Sequence, residues 1–569
     1  MAIQAEPPLF GPLTKRDSCV FRLFAPAARE VILEIDGRPD EAMTHAGDGW
    51  HAREIAALPG TRYAFRVDGT RIPDPASRRQ EGGVHGFSVV TDERYRWSTK
   101  AWKGRPFEET VFYETHAGLE GGYRKLAARL PALRDLGVTA IELMPVAAFP
   151  GARNWGYDGV LAFAPAESYG TPDDLKALVD RAHALGLMMV LDVVYNHFGP
   201  DGNYLHLTAP GFFRDDRTTP WGDAIDFRND MVRRFFIENA LYWTQDFRFD
   251  GLRLDAVHAI ADKRFLLALS QEVRAAAAGR HIHLVLENDD NDASLLESAF
   301  SAQWNDDFHH AMHVLLTGET QGYYADHADK PAERLARVLA GGFDYQGAFS
   351  EHRKTNRGSP AGALPPTAFV SFLQNHDQTG NRGKGDRLTQ LASEENLKAA
   401  LALLLLSPQI PLLFMGEEVG SRAPFHYFTD HGPELARAVR EGRAREFPGE
   451  AMSDPNAEET FQSSDPFRCA PDGERWRAFT RELLALRART IVPRLKGARA
   501  LGANAMGDRS VIARWRLGDG SRLTIAANFG DGPLALSSLD AGEPSHLIYG
   551  ALAADGLPLS STAAWLAPA

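Results

Sequence analysis

The sequence predicts an α/β fold: eight parallel strands with alternating helices closed into a (β/α)₈ barrel. An N-terminal β-sandwich and a small C-terminal β-domain flank it. Three observations lead there. Between residues ~110 and ~415, short apolar runs alternate with amphipathic helical stretches, the pattern of parallel strands joined by crossover helices. Four carboxylates, Asp192, Asp255, Glu287 and Asp377, follow or end such runs. Acidic groups placed repeatedly at strand ends converge on one rim of a closed TIM barrel, where active sites form. Both flanks instead carry short alternating strands with turn signals.

The elements follow in order. Residues 1–95 contain strand patterns at 19–24, 30–35 and 62–67, the last ending at the turn pair Asp68-Gly69. Residues 96–490 are assigned to the barrel, with strands at 111–114, 140–144, 188–194, 251–255, 284–287, around 300–304, 367–373 and 410–415. The first helix carries Leu126, Leu130, Leu133 and Leu136 on one side and stops at Gly137. The second has Thr171 as N-cap, Pro172 at its first position and Asp173 and Asp174 in its first turn. The stretch from Phe198 to Asp230 is too long for a simple barrel loop and reads as an excursion over the active face. Residues 491–569 hold strand patterns at 510–515 and 523–527 and read as a C-terminal β-sandwich.

At 569 residues the chain exceeds what one core organises. Its net charge of −13 disfavours nucleic acid and anionic membrane as partners. The two cysteines, Cys19 and Cys469, form neither a ligand cluster nor a disulfide framework, which suits a reducing compartment. The first residues lack a basic-then-apolar leader pattern, and the apolar run 399–406 is too short to span a bilayer. The expectation is a cytoplasmic protein.

Arg253 and Asp255 stand two apart on one strand and face the same way. A guanidinium there favours the ionised acid, as a nucleophile requires. A structural ion pair would leave the same trace. Glu287 ends an apolar strand, where burial raises a carboxyl pKa and suits a general acid; a capping role is the bland alternative. His197, His376 and Asp377 add polar groups at other strand ends, and Tyr157 and Trp221 could stack on sugar rings. No compact His or Cys pattern suggests a metal, and no metal or cofactor is expected.

Taken together, the segments 191–197, 251–255, 284–288 and 372–377 resemble the four shared regions of the α-amylase superfamily of glycoside hydrolases in order, spacing and residue type. That resemblance implies Asp255 as nucleophile, Glu287 as acid/base and Asp377 as transition-state stabiliser. It also implies that His197, Arg253 and His376 line the subsite of the cleaved sugar, with Tyr157 as its stacking platform. The runs Glu287-Asn288-Asp289-Asp290, Trp304-Asn305-Asp306-Asp307 and Gln374-Asn375-His376-Asp377, and the absence of a Lys-His pair after Asp255, narrow the likeness further. They resemble the branch that hydrolyses the α-1,4 bond between a malto-oligosaccharide and a terminal trehalose. His258 and Asp290, three positions after each catalytic residue, are candidates for reading the trehalose side. The resemblance implies an immunoglobulin-like, glucan-binding type of N-terminal sandwich. It also implies α-glucan substrates, and a synthase of the trehalose-ended oligosaccharide as pathway neighbour. Many members hold calcium through the position of Asn196, but no other ligand is assignable here. Two alternatives stay open: a glucan branching or debranching enzyme, and a silent glucan-binding protein on the same barrel.

Overall fold

A computed structural model describes residues 8–92, 94–219, 222–447, 452–535, 546–553 and 556–569. The barrel strands are β1 (Phe112–Thr115), β2 (Ala140–Leu143), β3 (Met188–Val193), β4 (Gly251–Leu254), β5 (His283–Leu286), β6 (Ala302–Trp304), β7 (Phe369–Ser371) and β8 (Ile410–Phe414). Each pairs in parallel with the next, and β1 pairs with β8 to close the ring. All eight predicted runs are these strands, with ends differing by a few residues.

The local signals act as read. Thr171 caps α2 (Pro172–Ala184) in a capping box with Asp174. Gly137 takes the left-handed conformation that ends α1 (Tyr123–Leu136). Further helices packed on the barrel include α3 (Asp230–Leu241), α4 (Lys263–Ala276), α5 (Asp306–Thr317), α6 (Pro331–Gly341), α7 (Glu394–Leu406) and α8 (Gly473–Leu486). Their apolar faces join the outer faces of the strands in one continuous core.

The strand period of two sorts side chains between that outer core and the barrel interior. The inward set is a separate cluster containing Phe112, Ala140, Met188, Val190, Val285, Trp304, Val370, Ile410 and Leu412. Two positions further along the same strands come Glu114, Glu142 and Asp192, and on β4 Arg253. The interior is thus apolar at its lower end and charged towards the C-terminal rim, the end where barrel active sites lie. Gly251 opens β4 because an added Cβ would sit 2.4 Å from the His283 carbonyl oxygen.

The N-terminal domain is a sandwich. Cys19–Phe24 and Trp50–Ile55 lie in one sheet, Val31–Ile35 and Arg62–Val67 in the other, with Phe21, Leu33, Tyr63 and Phe65 in the core between. Asp68 and Gly69 both have positive φ, as the predicted tight hairpin turn requires. The C-terminal domain differs from the sandwich expected of it. Among the described residues it is one antiparallel sheet of five strands, including Ser510–Arg516, Arg522–Asn528 and Ser561–Ala567. Val511, Ala513, Trp515, Leu523 and Ile525 join the barrel's helical core, so barrel helices stand where a second sheet would. Thr562 Oγ1 donates to the Ala399 carbonyl of α7 across this junction, at 2.8 Å. The 198–230 excursion contains a short helix, Leu205–Thr208, and a hairpin of Phe213–Thr219 with Gly222–Ile225.

Candidate active site

Arg253 organises the site. Its Nη1 donates to Asp192 Oδ2 at 2.8 Å and to Asp255 Oδ1 at 2.7 Å, and its Nη2 donates to Glu287 Oε2 at 3.0 Å. One planar fork therefore spans the two carboxyls expected to do the chemistry, and its guanidinium lies over the Trp304 ring, 4.1 Å from the centroid. Asn196, at the position through which many members of the resembled superfamily hold calcium, donates its amide nitrogen to the Asp255 carbonyl and to Asp255 Oδ2, both at 2.8 Å.

The backbone contributes too. Ala256 adopts the left-handed conformation, with φ of 41°, which is uncommon for a residue with a Cβ. That turn aims the Ala256 N–H at Glu287 Oε2, 2.7 Å away. Strain of this kind persists only where surrounding contacts hold it, and such positions cluster at functional sites.

The two acids are driven apart electrostatically. Burial alone would raise the Asp255 carboxyl, but Arg253, His197 and the Asn196 hydrogen bond outweigh it and hold Asp255 below its ordinary range. At Glu287 burial dominates and lifts the carboxyl well above its ordinary range; Arg253 pulls the other way, while Asp255 and Asp377 reinforce the rise. Two adjacent carboxyls held in opposite protonation states supply one anionic nucleophile and one proton donor. Asp192 is pushed up to about 6, first by burial and against Arg253.

Tyr157, His197 and His376 gather around this pair. Tyr157 Oη donates to Asp192 Oδ2 at 2.6 Å, and its ring stacks on His376 with centroids 5.1 Å apart. His197 Nε2 lies 3.0 Å from the Tyr157 carbonyl oxygen and its other ring nitrogen contacts Asn196. Asp377 is not at a strand end. It sits in the short helix His376–Gly380, which Asn375 caps, and accepts from Asn381 Nδ2 at 2.6 Å. His258 is half-buried and accepts the Asp289 N–H at 3.3 Å. Asp290 is exposed and outside the Arg253 cluster; its Oδ1 lies 3.6 Å from Arg353 Nη1. Trp221 lies outside the described residues.

Sequence reasoning gave no role to Glu114, Glu142 or Asp306. Glu114 lies 2.5 Å from His376 Nδ1 and accepts the His376 N–H at 3.2 Å. Burial alone would lower His376, but Glu114 overrides it and raises the imidazole. Asp306, pushed up to about 7 chiefly by burial, accepts from Gln378 Nε2 at 3.1 Å. The available signal was the inward phase of Glu114 and Glu142, two residues after Phe112 and Ala140.

Asp307, His310 and His327 are the group among the described residues whose atoms lie close enough to share a metal ion. They fit one poorly. Asp307 already accepts from Arg357 Nη1 at 2.6 Å, Asn291 Nδ2 at 2.9 Å and the Asp344 N–H at 2.8 Å. Neighbouring Asp344 is paired with Arg334 and Arg337, so guanidiniums already neutralise both carboxylates there.

A closed parallel barrel carrying this carboxylate pair at its C-terminal rim defines an α-amylase-type glycoside hydrolase. The model of the alpha amylase catalytic domain matches residues 107–209, and that of a domain of unknown function (DUF3459) matches residues 498–565. The chain is 44% identical over 464 residues to malto-oligosyltrehalose trehalohydrolase of Deinococcus radiodurans, covering 78% of this chain and 76% of that one. It is 39% identical to the enzyme of that name from Rhizobium sp. strain M-11, covering 91% and 92%. A Salmonella typhimurium crystal structure at 1.4 Å, provisionally described as an alpha amylase, superposes with a TM-score of 0.94 and 46% identity, over 99% of this chain and 100% of that one. The chain belongs to the malto-oligosyltrehalose trehalohydrolase family. No helix among the described residues is long and apolar enough to cross a membrane.

Proposed function

We propose that this glycoside hydrolase cleaves the α-1,4 bond next to the terminal trehalose of malto-oligosyltrehalose, releases trehalose and retains anomeric configuration. The observation that carries the reading is the Arg253 fork between Asp255, whose carboxyl is held below its ordinary range, and Glu287, whose carboxyl is held above it. Glu287 gives its proton to the glycosidic oxygen while an Asp255 oxygen attacks the anomeric carbon. The C–O bond breaks, trehalose leaves, and the glucan is held as an ester on Asp255. Glu287, now ionised, takes a proton from water, whose oxygen displaces Asp255 and frees the shortened glucan. This double displacement needs the two carboxyls about 5–5.5 Å apart.

Asp377 is assigned to stabilising the developing positive charge. Tyr157, His197, Arg253 and His376 are assigned to the sugar whose anomeric carbon reacts. His258 and Asp290 are proposed to read the trehalose side, and Trp221 is proposed to stack on a sugar ring. Relatives named trehalohydrolase support the trehalose-releasing reading over branching or debranching. A malto-oligosyltrehalose synthase is the proposed supplier of substrate, and the cytoplasm the proposed compartment. Incubation with malto-oligosyltrehalose and, separately, with amylose tests the reading. Trehalose release supports it; new α-1,6 branches without trehalose contradict it.

A further inference from the structure

Beneath Arg253 the barrel holds a set of buried polar atoms that find no hydrogen-bond partner among the described residues. They are both carboxyl oxygens of Glu142, Asp192 Oδ1, Arg253 Nε and Trp304 Nε1. Glu142 is 1% exposed. It is the register partner of Glu114 on the adjacent strand, and both point into the barrel. Glu114 has the His376 imidazole as its partner, and Asp192 has one nitrogen of Arg253. Glu142 has no cation of its own among the described residues.

A buried carboxylate without a cation is far costlier than a buried neutral acid. These atoms lie on inward-facing positions of neighbouring strands, with Arg253 over Trp304; two donors (Arg253 Nε–H and Trp304 Nε1–H) and three acceptor oxygens are the kind of partners a buried water takes, two to four at a time. We propose that Glu142 is a positioning residue of the hydrolase site. It keeps its proton inside the barrel and, through buried water, holds the inner side of Arg253, leaving that cation's outer nitrogens to Asp192, Asp255 and Glu287. Burial acts in the same direction on the Glu142 carboxyl and raises it well above the ordinary range; Glu114 adds to the rise and Arg253 opposes it. An ionised Glu142 would compete for Arg253 and weaken the fork that keeps Asp255 anionic. The groups facing it are Glu114, Asp192 and Arg253, with His376 beyond Glu114.

The inference rests on the proposed hydrolase reading, and its test separates the two. Infrared difference spectra between wild type and Glu142→Gln at pH 7 should show loss of a protonated-carboxyl C=O stretch. That signal reports the proton whatever the substrate is. Glu142→Gln keeps a neutral polar group and should retain wild-type kcat and pH profile within about twofold. Glu142→Leu should lower kcat about tenfold, the rate equivalent of one buried hydrogen-bond link, and shift the acid limb of its pH profile. Loss of a carboxylate band instead, or a Gln variant as impaired as the Leu variant, would overturn the proposal. So would a Leu variant with an unchanged profile.

Discussion

Arg253 Nη2 donates to Glu287 Oε2 at 3.0 Å, yet the Glu287 carboxyl is lifted well above its ordinary range. A cation at that range ordinarily ionises an acid. Here burial and the neighbouring Asp255 and Asp377 outweigh it, because Arg253 already shares its charge with Asp192 and Asp255. That arrangement makes specific demands on activity, stability and pH.

Replacing Glu287, the proposed proton donor, should separate activity from stability. Glu287→Gln is expected to lower kcat by about 10²–10⁴-fold, the usual contribution of general acid catalysis. A carboxyl whose folded pKa lies above its unfolded value costs stability once pH exceeds the unfolded value of about 4.3. Glutamine cannot ionise, so the variant should melt at a higher temperature than wild type at pH 7. The gap should close towards pH 4, as calorimetry at both pH values would reveal.

The pH profile of kcat/KM should be a broad bell. Asp255 must be ionised, and its carboxyl is held low, so the acid limb lies below its ordinary value of about 3.9. Glu287 must be protonated, and its carboxyl is held high, so the alkaline limb lies well above about 4.3. Because these groups interact, the limbs report the pair. In Asp255→Asn the acid limb should vanish together with turnover, while calorimetric binding of malto-oligosyltrehalose persists.

The strand pattern, together with the resemblance to the α-amylase superfamily, made most of this site legible in the sequence. Asp255, Arg253, Glu287, Tyr157, His197 and His376 come together. The N-cap at Thr171, the stop at Gly137 and the Asp68-Gly69 turn lie where local chemistry put them. What stayed hidden depends on closure of the ring. Glu114 reads as one acid in a short apolar run; only the β1–β8 pairing brings β1 beside the strand-end segment carrying His376. Asp377 looks like a strand-end residue because Asn375, which caps a helical turn, follows the apolar run directly. The C-terminal strands carry an alternation consistent with a sandwich, and only tertiary packing shows that helices cover one face.

Tyr157 links recognition to the charged layer. Tyr157→Phe removes the hydrogen bond to Asp192 while keeping the ring over His376, and should reduce kcat/KM about tenfold. Tyr157→Ala removes the ring as well and should cost more, with the extra loss appearing in KM. Steady-state kinetics on one oligosaccharide of fixed length would separate the two.

A buried cluster outside the site should dominate acid stability. Asp250 accepts from Trp102 Nε1 at 2.9 Å and the Met189 N–H at 3.0 Å, and its Oδ2 lies 2.8 Å from His183 Nε2. Burial alone would raise Asp250, but His183 and Arg280 outweigh it and hold it low. Its stabilising effect is therefore complete above an unfolded value of about 3.9 and is lost as pH falls through the lower folded value. Asp250→Asn should cost about 3–5 kcal/mol at pH 7, as expected when one partner of a buried pair is removed. The penalty should shrink in denaturant titrations at low pH.

Chelation should be without effect. Asn196 gives its amide nitrogen to Asp255 and its amide oxygen to His197, and Asp307 is already paired with Arg357. Dialysis against EDTA should leave kcat and the melting temperature unchanged; a loss restored by calcium would count against this.

The most direct measurement is proton NMR of the first products formed from maltotriosyltrehalose. The account predicts trehalose together with maltotriose that is initially the α-anomer. Initial β-anomer, or consumption of the substrate without free trehalose, would contradict it.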